Sequence, residues 1–217
     1  MIQINWSNVF YPNEKTYLCD KCANNLQMLT GNKCEKCSRE YNDSFCIDCE
    51  WWKTYFKEDD PLIKNISLYK YNSFMQEFIA RWKYRGDYIL GKCFKHEFMK
   101  LFDIHFRKSV KNAVLVPIPL SRERLYERGF NQAEMLTSFL PHEIVNSLQR
   151  VHTEKQSKKS RRERMLTINP FILCQPINKP VILVDDIYTT GRTIRHAAQL
   201  LRENGCPEIY SLTLIRG

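Results

Sequence analysis

The sequence predicts an α/β fold, a mainly parallel sheet flanked by helices, with a small cysteine-rich module on its N-terminal side. Three observations predict it. From about Ile66 onward, short apolar strands alternate with amphipathic helices, the pattern of strand–helix crossovers. One of those strands, Val181 to Val184, runs into Asp185, Asp186 and a threonine–glycine turn that opens a helix. Six of the nine cysteines fall within residues 19–49 as three CxxC pairs, where hydrophobic periodicity is otherwise poor. A chain of 217 residues can hold one sizeable core plus a small stapled module. The expected division is a zinc-binding module over 1–58 and the α/β domain over 64–217, with the acidic stretch at 58–61 as a linker or turn.

The N-terminal pairs are Cys19/Cys22, Cys34/Cys37 and Cys46/Cys49. A CxxC turn offers two thiolates to one metal ion, and two such turns complete a tetrahedral zinc site. Six thiols exceed one site and fall short of two. Either Cys34, Cys37, Cys46 and Cys49 make the site, or Cys19 and Cys22 make it with Cys34 and Cys37. All candidate ligands are thiolates, so the zinc is expected to be structural, in a closed site that contributes folding energy directly. Trp51 and Trp52, beside the last pair, are expected to seal the junction between the modules.

Further along, ISLYKY at 66–71 has strand character. Phe74, Phe78 and Trp82 recur at helical spacing and predict a helix with that face in the core, ended by Gly86. Residues 88–106 predict a second amphipathic helix, with Leu90, Phe94, Phe98, Leu101 and Phe102 on its apolar side. AVLVPIP at 113–119 is a buried strand entering a loop at two prolines, and 131–140 is helical again. Residues 150–164 carry seven Lys or Arg against two acids and nothing apolar after Val151, which predicts a mobile basic loop and not core. VILVDD at 181–186 is a buried strand, 192–204 the helix after it with Gly205 just past its end, and IYSLTLI at 209–215 the closing strand.

The turn at 181–193 carries the chemistry. Ligands of open α/β sheets bind outside the carboxyl ends of the strands. There Asp185 and Asp186 can accept from sugar hydroxyls or hold a cation. Gly191 lets backbone approach a ligand closely, while the hydroxyls of Thr189, Thr190 and Thr193 and the N–H groups of the helix start offer donors to a phosphate. This stretch resembles the phosphoribosyl-diphosphate (PRPP) motif of type I phosphoribosyltransferases. The resemblance implies a type I phosphoribosyltransferase-like fold, with Asp185 and Asp186 on the ribose and Thr189, Thr190, Gly191, Arg192 and Thr193 on the 5′-phosphate.

A second basic motif, VPIPLSRERLYERGFNQ at 116–132, places Arg122, Arg124 and Arg128 in an expected loop, with Arg128 and Gly129 just before a helix, a plausible second anion site. The motif, together with Thr153, Gln156 and Arg161 to Arg164 of the basic loop and the cysteine-rich start, resembles the ComF family over essentially the whole chain. The resemblance implies that the loop with Arg122, Arg128 and Gly129 meets pyrophosphate. It also implies that Gln156, Lys158, Lys159, Arg161, Arg162 and Arg164 form a flexible basic loop. Family members often carry a fourth CxxC pair, forming a double zinc ribbon. WSNVF stands near where that pair would be, which favours Cys34, Cys37, Cys46 and Cys49 as the intact site and leaves Cys19 and Cys22 without partners.

Whole-chain properties narrow the function. A net charge of +9 suits a polyanionic partner or a phosphorylated ligand. No apolar run approaches the ~18–20 residues that span a bilayer, and no secretory signal stands at the N-terminus, so a cytoplasmic location is expected. The ComF resemblance implies handling of incoming single-stranded DNA during natural transformation, at or near the inner face of the membrane. The implied partners are a helicase-like uptake ATPase and recombination mediators. The alternative is an active phosphoribosyltransferase, with magnesium accompanying PRPP, acting on an acceptor that no segment of the sequence identifies.

Overall fold

The computed structural model describes residues 17–84, 87–151 and 169–217. Gly86 and the basic-loop residues Gln156, Lys158, Lys159, Arg161, Arg162 and Arg164 lie outside that range. In chain order the elements are α1 (Asp20–Asn25), α2 (Ile47–Tyr55), β1 (Asn65–Lys70), α3 (Ser73–Tyr84), a 3-10 helix (Tyr88–Phe94) and α4 (Lys95–His105). They continue with β2 (Val114–Pro117), α5 (Arg122–Arg128), α6 (Gln132–Thr137), β3 (Leu148–Arg150), β4 (Phe171–Leu173), β5 (Val181–Tyr188), α7 (Arg192–Glu203) and β6 (Ile209–Arg216).

Four strands form a parallel sheet in the order β1-β6-β5-β2, as expected of strands joined through helices. β3 and β4 pair separately as an antiparallel ribbon. The central strands are apolar on both faces because both faces are covered. Ile182 and Val184 face a core with Met75, Phe78, Trp82, Phe98 and Phe102 from α3 and α4. Val181 and Leu183 face a second core with Ile194, Ala197, Ala198 and Leu201 of α7. The buried cysteines Cys34, Cys37, Cys46 and Cys49 belong to that same second core. The cysteine module and α7 therefore cover one face of the sheet together.

Two sequence expectations are corrected. Residues 88–106 are not one α-helix: the first seven form a 3-10 turn. Gly91 lies within that turn, and a Cβ there would collide with Met135 of α6 and Trp82 of α3, so the segment is pressed against both. Residues 122–128 form helix α5, not a loop. Ser121 caps it, its Oγ accepting from Arg124 N at 3.4 Å, and Gly129 ends it in the left-handed region at φ 76°. Gly205, at φ 97°, ends α7 as expected. Among the described residues no helix is long and apolar enough to cross a membrane.

Candidate functional site

β5 carries Asp185 and Asp186 at its carboxyl end, inside the strand. The ladder to β6 passes from Asp185↔Thr213 to Ile187↔Ile215 without pairing Asp186. The Asp186 N–H donates instead to Asp185 Oδ1 at 2.8 Å. Beyond this interruption the faces exchange. Ile187 packs with the Ile182/Val184 core, and Tyr188 with the Val181/Leu183 core. A side chain that takes a ladder N–H thus sets both carboxylates at the point where the strand turns over.

The two acids have different surroundings. Asp186 is buried and ion-paired with Lys83 of α3, itself almost buried. Asp185 is half-buried; burial and the charge of Asp186 push its carboxyl up to about 7, against the pull of the Asp186 N–H and of Lys83 and Arg150. Nothing in the sequence pattern points to Lys83, because a lysine near a helix end reads as a solvated one.

Past the acids, residues 187–194 line a hollow of ≈ 140 Å³. Gly191 is the N-cap of α7, left-handed at φ 80°. A Cβ there would strike the Tyr188 hydroxyl and the Arg195 guanidinium, so only glycine fits. A glycine N-cap brings no side chain to the first-turn N–H groups. They form a donor cluster at the positive end of a 12-residue helix. The carbonyls of the turn are engaged from behind. Trp52 Nε1 donates to Thr190 O at 2.6 Å, Arg216 Nη1 to Thr189 O at 2.8 Å and Gly217 N to Tyr188 O at 2.9 Å. With its acceptors occupied, the turn offers donors outward, which suits an anion.

Behind Trp52 lies Arg195, fully buried. It donates to Asp60 at 2.8 and 3.2 Å and to Tyr188 Oη at 2.6 Å, and stacks on Trp52 at 4.8 Å. Asp60 comes from the stretch expected as a linker or turn. It is the counter-ion of a buried arginine, a pairing between residues 135 positions apart that local sequence cannot reveal.

The second basic motif reaches the same sheet edge by another route. Arg122 is exposed at the start of α5 and Arg128 is buried at its end, about 9 Å apart along the axis at 1.5 Å per residue. One of the expected helix-start amides is already taken, because Asn131 Oδ1 caps α6 by accepting from Ala133 N at 3.0 Å. Side chains take over. Arg128 Nη1 donates to Gln132 Oε1 at 3.0 Å, while Arg128 Nε and Gln132 Nε2, both buried, have no acceptor. Buried donors are paired almost without exception, so this pair asks for one. The Arg128 guanidinium lies 5.5 Å over the ring of Tyr84, the residue next to Lys83, so the acid strand end and the arginine meet at the carboxyl end of α3. Arg150, at the end of β3, joins them. Its pKa is lowered by burial and then by the charges of Arg124, Arg192 and Arg128, with Asp185 opposing. Arg150 thus feels three like charges and one acid, a balance that an anion would relieve. The sequence pattern assigns Arg150 to the basic loop, whereas the fold makes it the last residue of β3.

The cysteines resolve into one cluster. The thiol sulfurs of Cys34, Cys37, Cys46 and Cys49 all lie within 4.8 Å of one another and are buried. The edge of a zinc–thiolate tetrahedron is about 3.8 Å for Zn–S of ~2.3 Å, so the donor set fits. The first knuckle forms by Cys34 N to Arg39 O at 2.7 Å and Ser38 N to Cys34 O at 3.0 Å, with Ser38 in the left-handed region. The second is the start of α2, whose N-cap is Cys46, with Cys46 N donating to Cys34 Sγ at 3.3 Å. Arg216 Nη2 donates to Cys37 Sγ at 3.3 Å, a cation beside a thiolate array. Cys19 is exposed and Cys22 half-buried, outside the cluster. The rival pairing of Cys19 and Cys22 with Cys34 and Cys37 is not the one the fold makes.

The family described as "Phosphoribosyl transferase domain" matches residues 140–217. Competence protein ComFC of Bacillus subtilis is 40% identical over 221 aligned residues, covering 98% of this chain and 90% of its own. Competence protein ComFC of Streptococcus pneumoniae is 31% identical, covering 94% and 90%. A hypoxanthine phosphoribosyltransferase structure from Staphylococcus aureus overlaps 58% of this chain and 64% of its own at 16% identity, with a TM-score of 0.35.

Proposed function

The chain belongs to the ComFC competence-protein family, with a phosphoribosyl transferase domain as its C-terminal part, and from that membership we propose that it handles incoming single-stranded DNA and binds PRPP as a ligand. The observation that carries the PRPP reading is the pair of buried donors without acceptors, Arg128 Nε and Gln132 Nε2, at the same sheet edge as the uncapped turn. The turn at Thr189 to Thr193 would take the 5′-phosphate and Asp185 and Asp186 the ribose hydroxyls. Arg128, Gln132 and Arg150 would take the pyrophosphate, whose oxygens would carry magnesium. Charge placement of this kind serves binding and, if an acceptor is delivered, departure of pyrophosphate.

Zinc, held by Cys34, Cys37, Cys46 and Cys49, would supply folding energy and no open coordination position. The DNA reading is supported by the family and by a net charge of +9. Arg122, exposed on α5, belongs with that surface more than with the pyrophosphate. The uptake ATPase and recombination mediators would dock on it in the cytoplasm, at the inner face of the membrane.

Calorimetry with PRPP and magnesium tests the pocket. One-site binding is expected in the wild type and loss of about tenfold or more in Arg128→Ala, since a charged hydrogen-bonding partner contributes about 1.5–3 kcal/mol. Wild-type protein that gives no heat with PRPP sinks this reading. Pyrophosphate release measured with and without DNA then separates a ligand sensor from a transferase.

A further inference from the structure

Adjacent carboxylates largely out of water repel each other and draw a cation or a proton. At the end of β5 the chain supplies the cation itself. Lys83 Nζ is ion-paired with Asp186 Oδ2, and the two side chains are only 12% and 10% exposed. Lys83 stands in the last turn of α3, where the helix carbonyls favour a positive charge. Both of its neighbours are held. Trp82 is fully buried in the core that includes Ile182 and Val184 of β5, and Tyr84 carries the Arg128 guanidinium over its ring at 5.5 Å. The packing of α3 therefore delivers the ammonium to the acids.

The sequence pattern allows Asp185 and Asp186 two roles, accepting from ribose hydroxyls or holding a cation. The structure separates them. A magnesium ion takes octahedral oxygen ligands at about 2.0–2.1 Å and keeps several of its waters. At Asp186 it would share a nearly buried carboxylate with an ammonium already paired to it, and like charges repel strongly where water is scarce. Asp185 alone is a poor substitute. One of its oxygens accepts the Asp186 N–H at 2.8 Å, and Arg150 adds a further positive charge to its surroundings. The pair as it stands does not fit a divalent cation. It fits a neutral diol, whose hydroxyls donate to Asp185 without adding charge.

We propose that Lys83 is the resident cation of the acid pair: it neutralises Asp186, keeps divalent metal off both carboxylates, and leaves Asp185 to bind the ribose diol without metal. The proposal rests on the PRPP reading above and confines magnesium to the pyrophosphate. Lys83 is a positioning residue, since it acts through Asp186. A phosphoribosyl ligand that lacks pyrophosphate, ribose 5-phosphate, then needs no magnesium.

Two measurements on the full chain test this. Calorimetry with ribose 5-phosphate should give the same wild-type affinity with and without magnesium. Electron paramagnetic resonance with manganese should show equal binding of the ion by wild type and Asp185→Asn. Lys83→Met should gain a bound manganese ion that Lys83→Met/Asp185→Asn loses again, and its affinity for ribose 5-phosphate should become magnesium-dependent. Lys83→Gln keeps a donor to Asp186 without the charge and serves where methionine does not fold, with melting temperatures as the control. If Asp185→Asn removes a manganese ion that wild type holds, or if the folded Lys83 variant gains none, the proposal is overturned, while the ribose reading stands on the calorimetry. If wild type binds no ribose 5-phosphate under either condition, the ribose reading falls and the diol role of Asp185 with it, whereas the manganese comparison still decides whether Lys83 excludes metal.

Discussion

Asp185 is where one residue reports most on the site. The fold keeps its carboxyl half-buried beside Asp186 and raises it to about 7. A carboxyl raised in the folded state binds more protons there than in the unfolded chain between about pH 4 and 7. Stability is therefore lost as pH rises through that window. The loss has an upper bound of about 4 kcal/mol at 1.36 kcal/mol per unit, less whatever solvent reaches the group. Asp185→Asn should flatten the pH dependence, so that denaturant titrations at pH 8 find the variant more stable than wild type by about 2 kcal/mol or more. PRPP affinity should move the other way, rising with pH through about 7 in wild type because ribose hydroxyls need the carboxylate. A variant that follows the wild-type stability curve would remove the burial argument. The acids and the glycine were legible in the sequence. Lys83, Arg150 and Gln132 were not, because each is an ordinary polar residue until the fold places it beside a charge.

The elements carry the coupling between the cysteine module and the phosphate turn. Trp52 of α2 donates to Thr190 O, and Arg216 of β6 bonds both Cys37 and Thr189 O. One side chain from the middle of α2 and one from the end of β6 therefore hold the turn from behind. Trp52→Phe keeps the ring on Arg195 and deletes one hydrogen bond, leaving the Thr190 carbonyl without that donor. About 1 kcal/mol of stability and roughly a fewfold of PRPP affinity should go with it, read by denaturant midpoint and calorimetry. Removal of zinc by a strong chelator should do more. The knuckles lose their crosslink, the module melts, and PRPP binding falls because Trp52 and Arg216 lose their anchorage. Metal analysis that finds no zinc in protein purified without chelator would end this account. The expectation that Trp51 and Trp52 seal a junction finds its physical form in Trp52, which is 1% exposed. The four strands of the parallel sheet and the helix after β5 were legible because their apolar runs and caps are distinct, whereas the three-residue strands β3 and β4 were not, being too short for any periodicity to show. α5 was misread as a loop because its seven residues hold no buried apolar side chain, and a short exposed helix has no periodicity to detect.

At the scale of the molecule, salt dependence tests the DNA reading that the net charge of +9 supports. For a single strand the affinity falls with a slope of about −0.7 per phosphate neutralised on a log–log plot. Arg122→Ala should reduce the slope of binding to a labelled oligothymidylate by roughly 0.7, while leaving the melting temperature in place because the side chain is exposed. Affinity that ignores salt would remove electrostatics from the DNA reading. The sequence by itself determined the α/β class, the threonine–glycine turn at the end of its strand and a cysteine cluster fit for a metal, since these depend on local patterns: strand–helix alternation, a glycine before a helix, paired cysteines. The tertiary structure decided which four cysteines share a site, which lysine faces Asp186, and that the metal module and α7 cover one face of the sheet together. Those are contacts between residues far apart in the chain. Local sequence carries no record of them, because what selects them is burial and charge pairing in the finished core.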